Sequence, residues 1–406
     1  MQKRIIAIIL LSVLLITAAG CASDNGTQVT VTDAESGNDM QYTPENATVI
    51  TDENGAKLGA IENGAAVTAA CGGIFYSVMT IKEYSFTGTA EYRFFSLSDK
   101  TDVFLGKLED QGYEAGYART ELNGVIYTLA VKGDPGGEGA VPLLLLAFDA
   151  ANKTMSTYTV SEYGFPYAAM TSSGGKLLIM NHETTKEKED KIYEFDPDSK
   201  TVKEVLTFSS SSDSLRSVCA ADDGFYLLRL KVNNGGENEM YVDLYDGKYV
   251  KRSEQPVNDV LADAIKEVRG ITGRGDALNE LGMNVSRFAV IGGRYMIYEN
   301  FGLSRVAVDL QTKQTIFAED DNYSVSTGSG APLIYRLDFD ADNVPASEIY
   351  RMENGRLAQV PFTPDGAHRL IQFVTVSEDG TMAVMSVDTY PARNGSAVIR
   401  VIPAER

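Results

Sequence analysis

Apart from carboxylates, residue types that do chemistry are sparse in this chain. Only two histidines are present, His182 and His368, so a histidine-based zinc site or a Ser-His-Asp relay has little to build on. Asp and Glu number 56 against 36 Lys and Arg. With acids spread throughout, no pair can be singled out as the two carboxylates of a glycosidase, whose separation decides the chemistry. Asp338, Asp340, Asp342 and Asn343 have the spacing of a calcium-loop start. Asn343 falls where such a loop needs its glycine, and Ile349 where it needs a bidentate Glu, so the segment reads as a solvated acidic turn. Neither a metal nor a cofactor is expected.

One thiol does have a chemical context. Lys3 and Arg4 precede the apolar runs Ile5–Leu11 and Val13–Ile16, and the small residues Ala18, Ala19 and Gly20 lead to Cys21. A basic start, a short apolar stretch and a small-residue cleavage site make a secretory signal over residues 1–20. At about 16 residues the apolar stretch is short for a membrane span, which takes about 20. Its end resembles the bacterial lipobox, with Ala18 where that motif usually has Leu. The resemblance implies that Cys21 receives a diacylglycerol and becomes a lipidated N-terminus. Each buried methylene contributes about 0.8 kcal/mol, so two or three acyl chains anchor stably. Residues 21–41 then form a tether: Ser, Asp, Asn, Gly and Thr dominate from Ala22 to Gln41, a composition that cannot bury a core. Its r.m.s. reach is about 25 Å. The expected location is extracytoplasmic, lipid-anchored to the cell membrane. In a Gram-negative source it would be the outer membrane, because Ala22 is not the Asp that marks inner-membrane retention.

The formal net charge is −20, and loss of Lys3 and Arg4 with the signal brings it to about −22. Such a balance argues against nucleic acid and against electrostatic docking on anionic lipid. Cys71 and Cys219 lie far apart in sequence and are expected as two buried free thiols.

Residues 42–406 are organised by an internal repeat. Glycine-containing turns end at Gly73, Gly124, Gly175, Gly224, Gly293, Gly330 and Gly380. Each precedes a β-rich strand such as IFYSVMTI, VIYTLAV or FYLLRLKV. A second hairpin follows in most units, closed by turns such as Asp196-Pro-Asp-Ser, Asp246-Gly and Asn354-Gly. Lys100, Lys153, Lys200, Lys248, Lys313 and Arg356 sit at the ends of these turns and read as turn chemistry. With a short strand before each glycine turn, the unit has four strands in about 50 residues, the period of a propeller blade. The expected fold is all-β, a seven-bladed β-propeller, although a count taken from turns also fits six or eight. Its last unit supplies three strands, ending at Ser396–Ile402. The missing outer strand would come from Asn46–Thr51 or Ala56–Ile61, closing the ring and removing a sheet edge. The pattern resembles bacterial propeller repeats of the broad WD40-like and TolB-like kind across most of the mature chain. There is no Trp, so the Trp-bearing signatures of such repeats are missing and no catalytic residue carries over.

In such a ring the turns within hairpins share one face and are short here. The middle connections and unit-to-unit crossings share the other face and are long and polar, and long loops on a rigid scaffold are the usual seat of binding. The candidates on that loop face are Tyr84, Phe86, Glu183, Asn233, Asp340, Asp342, Tyr390 and Arg393. The largest feature is the insertion Gln255–Gly282 between the fourth and fifth units. Its apolar residues recur at helical spacing, so it is expected as a small helical insertion, and Arg269 and Arg274 beside it are added as candidates. The functional expectation is a lipid-anchored, non-catalytic binding or scaffolding module for an envelope protein, peptide or glycan. A propeller-type hydrolase or lyase with acids at the central mouth is the alternative.

Overall fold

The computed structural model describes residues 47–62, 66–81, 87–112, 118–134, 141–164, 168–183, 189–231, 239–257, 285–300, 304–319, 323–339, 345–363, 370–387 and 397–404. They begin with β1 (Ala47–Thr51) and β2 (Lys57–Glu62). Sheet I then runs β3 (Ala66–Ala70), β4 (Gly73–Ile81), β5 (Thr87–Ser96) and β6 (Thr101–Gly112). Sheet II is β7 (Arg119–Leu122), β8 (Val125–Val131), β9 (Leu143–Asp149) and β10 (Thr154–Ser161). Sheet III is β11 (Ala169–Ser173), β12 (Lys176–Glu183), β13 (Glu189–Asp196) and β14 (Thr201–Ser209). Sheet IV is β15 (Asp213–Ala221), β16 (Gly224–Lys231), β17 (Glu239–Tyr245) and β18 (Lys251–Pro256). Sheet V is β19 (Val285–Ile291), β20 (Tyr295–Asn300), β21 (Ser304–Asp309) and β22 (Thr315–Glu319). Sheet VI takes β23 (Tyr323–Val325), skips β24 (Thr327–Gly328), and continues with β25 (Ile334–Phe339), β26 (Pro345–Glu353) and β27 (Arg356–Val360). Sheet VII orders β2, β1, β30 (Ala397–Ile402), β29 (Met382–Val387), β28 (Leu370–Val376) and β24.

Burial varies across each sheet in the way this order requires. Middle strands are packed on both faces by neighbouring sheets, so β9 reads LLLLAFD with six buried residues in succession, a run without polar alternation. The outermost strands β14 and β18 are mostly exposed. The sheets touch in chain order through β3 and β7, β7 and β11, β11 and β15, β15 and β19, β20 and β23, and β26 and β28. Contact of β28 with β3 shuts the circle. Four-stranded sheets arrayed radially in this way form a β-propeller. In sheets I to VI the first strand is innermost, facing the axis, and in sheet VII that edge is formed by β28 with β24.

Closure uses both ends of the described chain. β1 pairs in parallel with β30, Ile50 opposite Ile399, and β2 pairs antiparallel on the outer side of β1. Ile50 and Ile399 are fully buried in one cluster with Ile74 and Phe95 of sheet I, so the seam is also a core.

Two expectations need correction. No helix occurs among the described residues. At the insertion expected over Gln255–Gly282, Gln255 and Pro256 finish strand β18 instead of starting a helix, because Gln255 is paired across to Val242. Residues 258–284 lie outside the described set, Arg269 and Arg274 among them. The glycine turn placed at Gly330 is not a tight hairpin either. Between β23 and β25 the chain leaves sheet VI, and Thr327–Gly328 pairs in parallel with Thr375–Val376 of sheet VII. β24 also touches β3 and β7, so Ser326–Leu333 is a strap across the inner edges of sheets VII, I and II, at their hairpin-turn end. Gly330 N–H donates to Val376 O at 3.0 Å. Gly328 has φ +101°, and a Cβ there would lie 2.1 Å from Val376 O, an approach that only glycine permits.

The turn lysines are structural. Lys100, Lys153, Lys200 and Lys313 all take φ between 55° and 58°, the left-handed position that closes a hairpin. At one of them Lys200 N donates to Asp196 O at 2.8 Å. Lys248 and Arg356 differ: there the positive φ falls on Tyr249, and on Asn354 and Gly355.

Candidate functional site

Of the residues expected to bind a ligand, Glu183 is the one inside the described set. Tyr84, Phe86, Asn233, Asp340, Asp342, Tyr390 and Arg393 lie outside it, as do the insertion arginines and Cys21. The described site therefore grows from the corner of sheet III where β12 ends and β13 begins, on the loop face.

Strand alternation places Glu183 at the last position of β12, opposite Glu189. Its Oε1 accepts the hydroxyls of Ser161, at 2.8 Å, and Tyr193. Its Oε2 lies 3.1 Å from Lys191 Nζ. Burial pushes the Glu183 carboxyl up, but Tyr193, Ser161 and Lys191 together leave it below its usual range. Lys191 also meets Glu189 at 3.3 Å and Glu204 at 3.1 Å. Desolvation lowers its ammonium, yet the carboxylates outweigh that and hold it well above the usual value. Glu183 is 9 % exposed and both its oxygens are engaged, so its carboxylate is held within this corner.

A second network adjoins it. Asp190, 1 % exposed, accepts from His182 Nδ1 at 2.8 Å and Ser210 Oγ at 2.6 Å on Oδ1. Its Oδ2 accepts the Leu215 N–H of sheet IV at 2.6 Å. Burial raises its carboxyl, and His182, Ser210 and the Leu215 amide bring it below the usual range overall. Ser, His and Asp do meet here, but Ser210 donates to the carboxylate and not to the imidazole, so the contact is not the nucleophile–base arrangement of a hydrolase. Tyr163 rims the corner. The residue is 43 % exposed, while its carbonyl accepts from buried Asn181 at 2.9 Å and its N–H donates to Ser161 Oγ at 3.1 Å. The corner thus ties sheet III to the outer strand of sheet II and the inner strand of sheet IV.

Sequence reading missed Asp190 and Lys191, though alternation from Glu189 would have placed Asp190 inward. It also passed over Arg216, the one basic residue in the strand DSLRSVCAA. Among the described residues no group of three or more His, Cys, Asp or Glu could hold a metal ion. Both described cysteines are free. No helix among those residues is long and apolar enough to cross a membrane.

No family model matches the chain, and no curated protein matches it. Among solved structures it is similar to the β-propeller domain of the trilobed protease from Pyrococcus furiosus, at 11% identity over 79% of this chain and 98% of that one, TM-score 0.45. A putative 6-phosphogluconolactonase from Bacteroides uniformis gives 12% identity over 82% and 97%, TM-score 0.45. An oligogalacturonate lyase gives 10% over 84% and 96%, TM-score 0.43. Likeness this distant carries nothing about activity, and the propeller arrangement rests on the chain's own sheets and the contacts that close them.

Proposed function

We propose that this chain is a lipid-tethered, extracytoplasmic, seven-bladed propeller that binds an envelope protein, peptide or glycan on its loop face without transforming it. The observation that carries the reading is the sheet III corner. Glu183 holds Ser161, Tyr193 and Lys191, and beside it Asp190 holds His182, Ser210 and the Leu215 amide, two polar networks that span sheets II to IV, with Tyr163 exposed at their rim. A carboxylate held ionised by three partners suits positioning better than proton transfer, which needs a pKa near the working pH. The basic start, apolar stretch and Cys21 support the tether.

Two experiments test the reading. Radiolabelled palmitate should enter the full chain and not its Cys21→Ser variant, which should also leave the membrane fraction; label persisting in the variant would overturn the anchor. In pull-downs from envelope extract, the full chain should retain a partner that a Tyr84→Ala, Tyr163→Ala, Tyr390→Ala, Arg393→Ala variant loses. Phe104→Ala, on the outer strand β6 and 47 % exposed, should capture as the parent does. Equal capture by the loop-face variant would refute the assignment.

A further inference from the structure

Buried arginine Nε atoms without a hydrogen-bond partner occur at Arg119, Arg216 and Arg336, but most of the described arginines in the sheets are bonded through one nitrogen or another. Arg229 pairs with Asp213, Asp243 and Glu254. Arg294 pairs with Asp309, Arg93 with Asp102, and Arg119 donates to Ala66 O and Ser77 Oγ. Arg216 is different. It sits on the innermost strand β15, about 10 Å in from the loop-face end at Asp213. Leu215 pairs with Arg229 and Ser217 with Leu228, so Arg216 is the extra residue of a β-bulge, a device that re-aims a side chain. Its Nε is buried and meets no hydrogen-bond partner, while its terminal nitrogens are not among the buried unpaired atoms.

The neighbouring acid explains why no pair forms. Asp190 attracts Arg216 through space, but its oxygens are occupied by His182, Ser210 and the Leu215 amide. Desolvation then leaves the guanidinium below its usual pKa. A partly buried cation without a bonded anion is costly, and it persists here in a chain with 56 acidic residues. The adjoining inner strand β11 reads AMTSS and is partly exposed along its whole length.

We propose that Arg216 anchors an anion subsite at the loop-side mouth of the central channel, and that the ligand's anchoring group is a carboxylate. This rests on the loop-face reading and names the chemistry it selects. The flat guanidinium fork matches a planar carboxylate in a bidentate pair. A single negative charge also enters this acidic surround with less repulsion than a doubly charged phosphate.

The test uses the mature chain in detergent and saturation-transfer NMR read on the methyl protons of acetate and of its neutral isostere acetamide, with inorganic phosphate, which has no carbon-bound proton, read as a competitor of the acetate signal. Acetate should receive saturation, acetamide should not, and phosphate should bind at least about fivefold more weakly. Arg216→Met should weaken acetate binding at least about tenfold with a Tm no lower than the parent, because an unpaired cation is removed, and Arg216→Lys should restore part of the binding. Acetate binding unchanged in Arg216→Met would overturn the subsite, as would a fall in Tm showing that Arg216 holds structure, or phosphate binding more tightly than acetate. The envelope pull-down is read separately. Partner capture kept by a chain that ignores acetate condemns the subsite alone, and capture unaffected by the loop-face substitutions condemns the broader reading.

Discussion

Replacing Ile50 by Ala asks whether the seam between β1 and β30 holds the ring shut. Ile50 has no exposed surface, sits opposite Ile399, and belongs to a cluster that includes Ile74 and Phe95 of sheet I. The substitution removes three carbons, worth about 2.4 kcal/mol of transfer free energy. A residual cavity of roughly 50 Å³ adds about 1.2 kcal/mol at about 24 cal/mol per Å³. The sum, about 3.6 kcal/mol, is a large part of the 5–15 kcal/mol or so that a folded protein has. It should lower Tm by about 5 °C in a chain of this size. Denaturant and thermal unfolding of the full chain measure it, with Val250→Ala, half exposed, expected within about 0.5 kcal/mol of the parent. Ile399→Ala should behave like Ile50→Ala, and the double variant should depart from additivity by at least about 0.5 kcal/mol. A loss under about 1 kcal/mol at Ile50, or strict additivity with Ile399, would refute closure through this pair.

Three other outcomes are expected. Asp190→Asn should cost about 2–4 kcal/mol at pH 7, since a buried carboxylate loses charge-assisted bonds. The folded carboxyl lies below its usual range, so the wild-type advantage is full above the unfolded pKa, about 3.9, and disappears as pH falls through the folded value; urea unfolding at pH 7 and pH 3 reads this, and an advantage that grows on acidification contradicts it. Gly328→Val should destabilise by more than about 2 kcal/mol, because its Cβ has no space against Val376 O, and an unchanged urea midpoint would mean the strap is not seated. In a Cys21→Ser chain, Ellman's reagent at pH 8 should react with Cys71 and Cys219 more than about 100-fold slower than in urea. Burial and Glu121 raise the first thiol, and burial pushes the second up to about 12; fast native reaction would refute this.

Much of the frame was legible because local chemistry and topology agree. Left-handed glycines at 124, 174, 175, 224, 293 and 380 end strands where sequence alone places turns, and the Asp-to-Lys hairpins do the same at 196–200. Gly330 misled because a glycine can serve close approach as well as turning, and only the tertiary fold shows β28 beside it. The insertion's apolar spacing misled at Gln255 because pairing with Val242 overrides local pattern. The site was less legible. Glu183 looks available in sequence, but its partners Ser161 and Tyr193 come from other strands, and only the fold brings them together. Arg216 needed the bulge to be seen, since register is invisible without the partner strand.

The seam has a mechanical consequence. Ala47 lies one register position before the Thr48–Ala397 pair, where β30 starts on the loop side, so residues 1–46 join the ring at that rim. Tension transmitted through them pulls along β1, across hydrogen bonds that run sideways to β30 and β2. Those bonds are loaded together in shear and cannot be peeled one at a time. A pull applied at this end would therefore have to break the bonds of β1 to both neighbours at once.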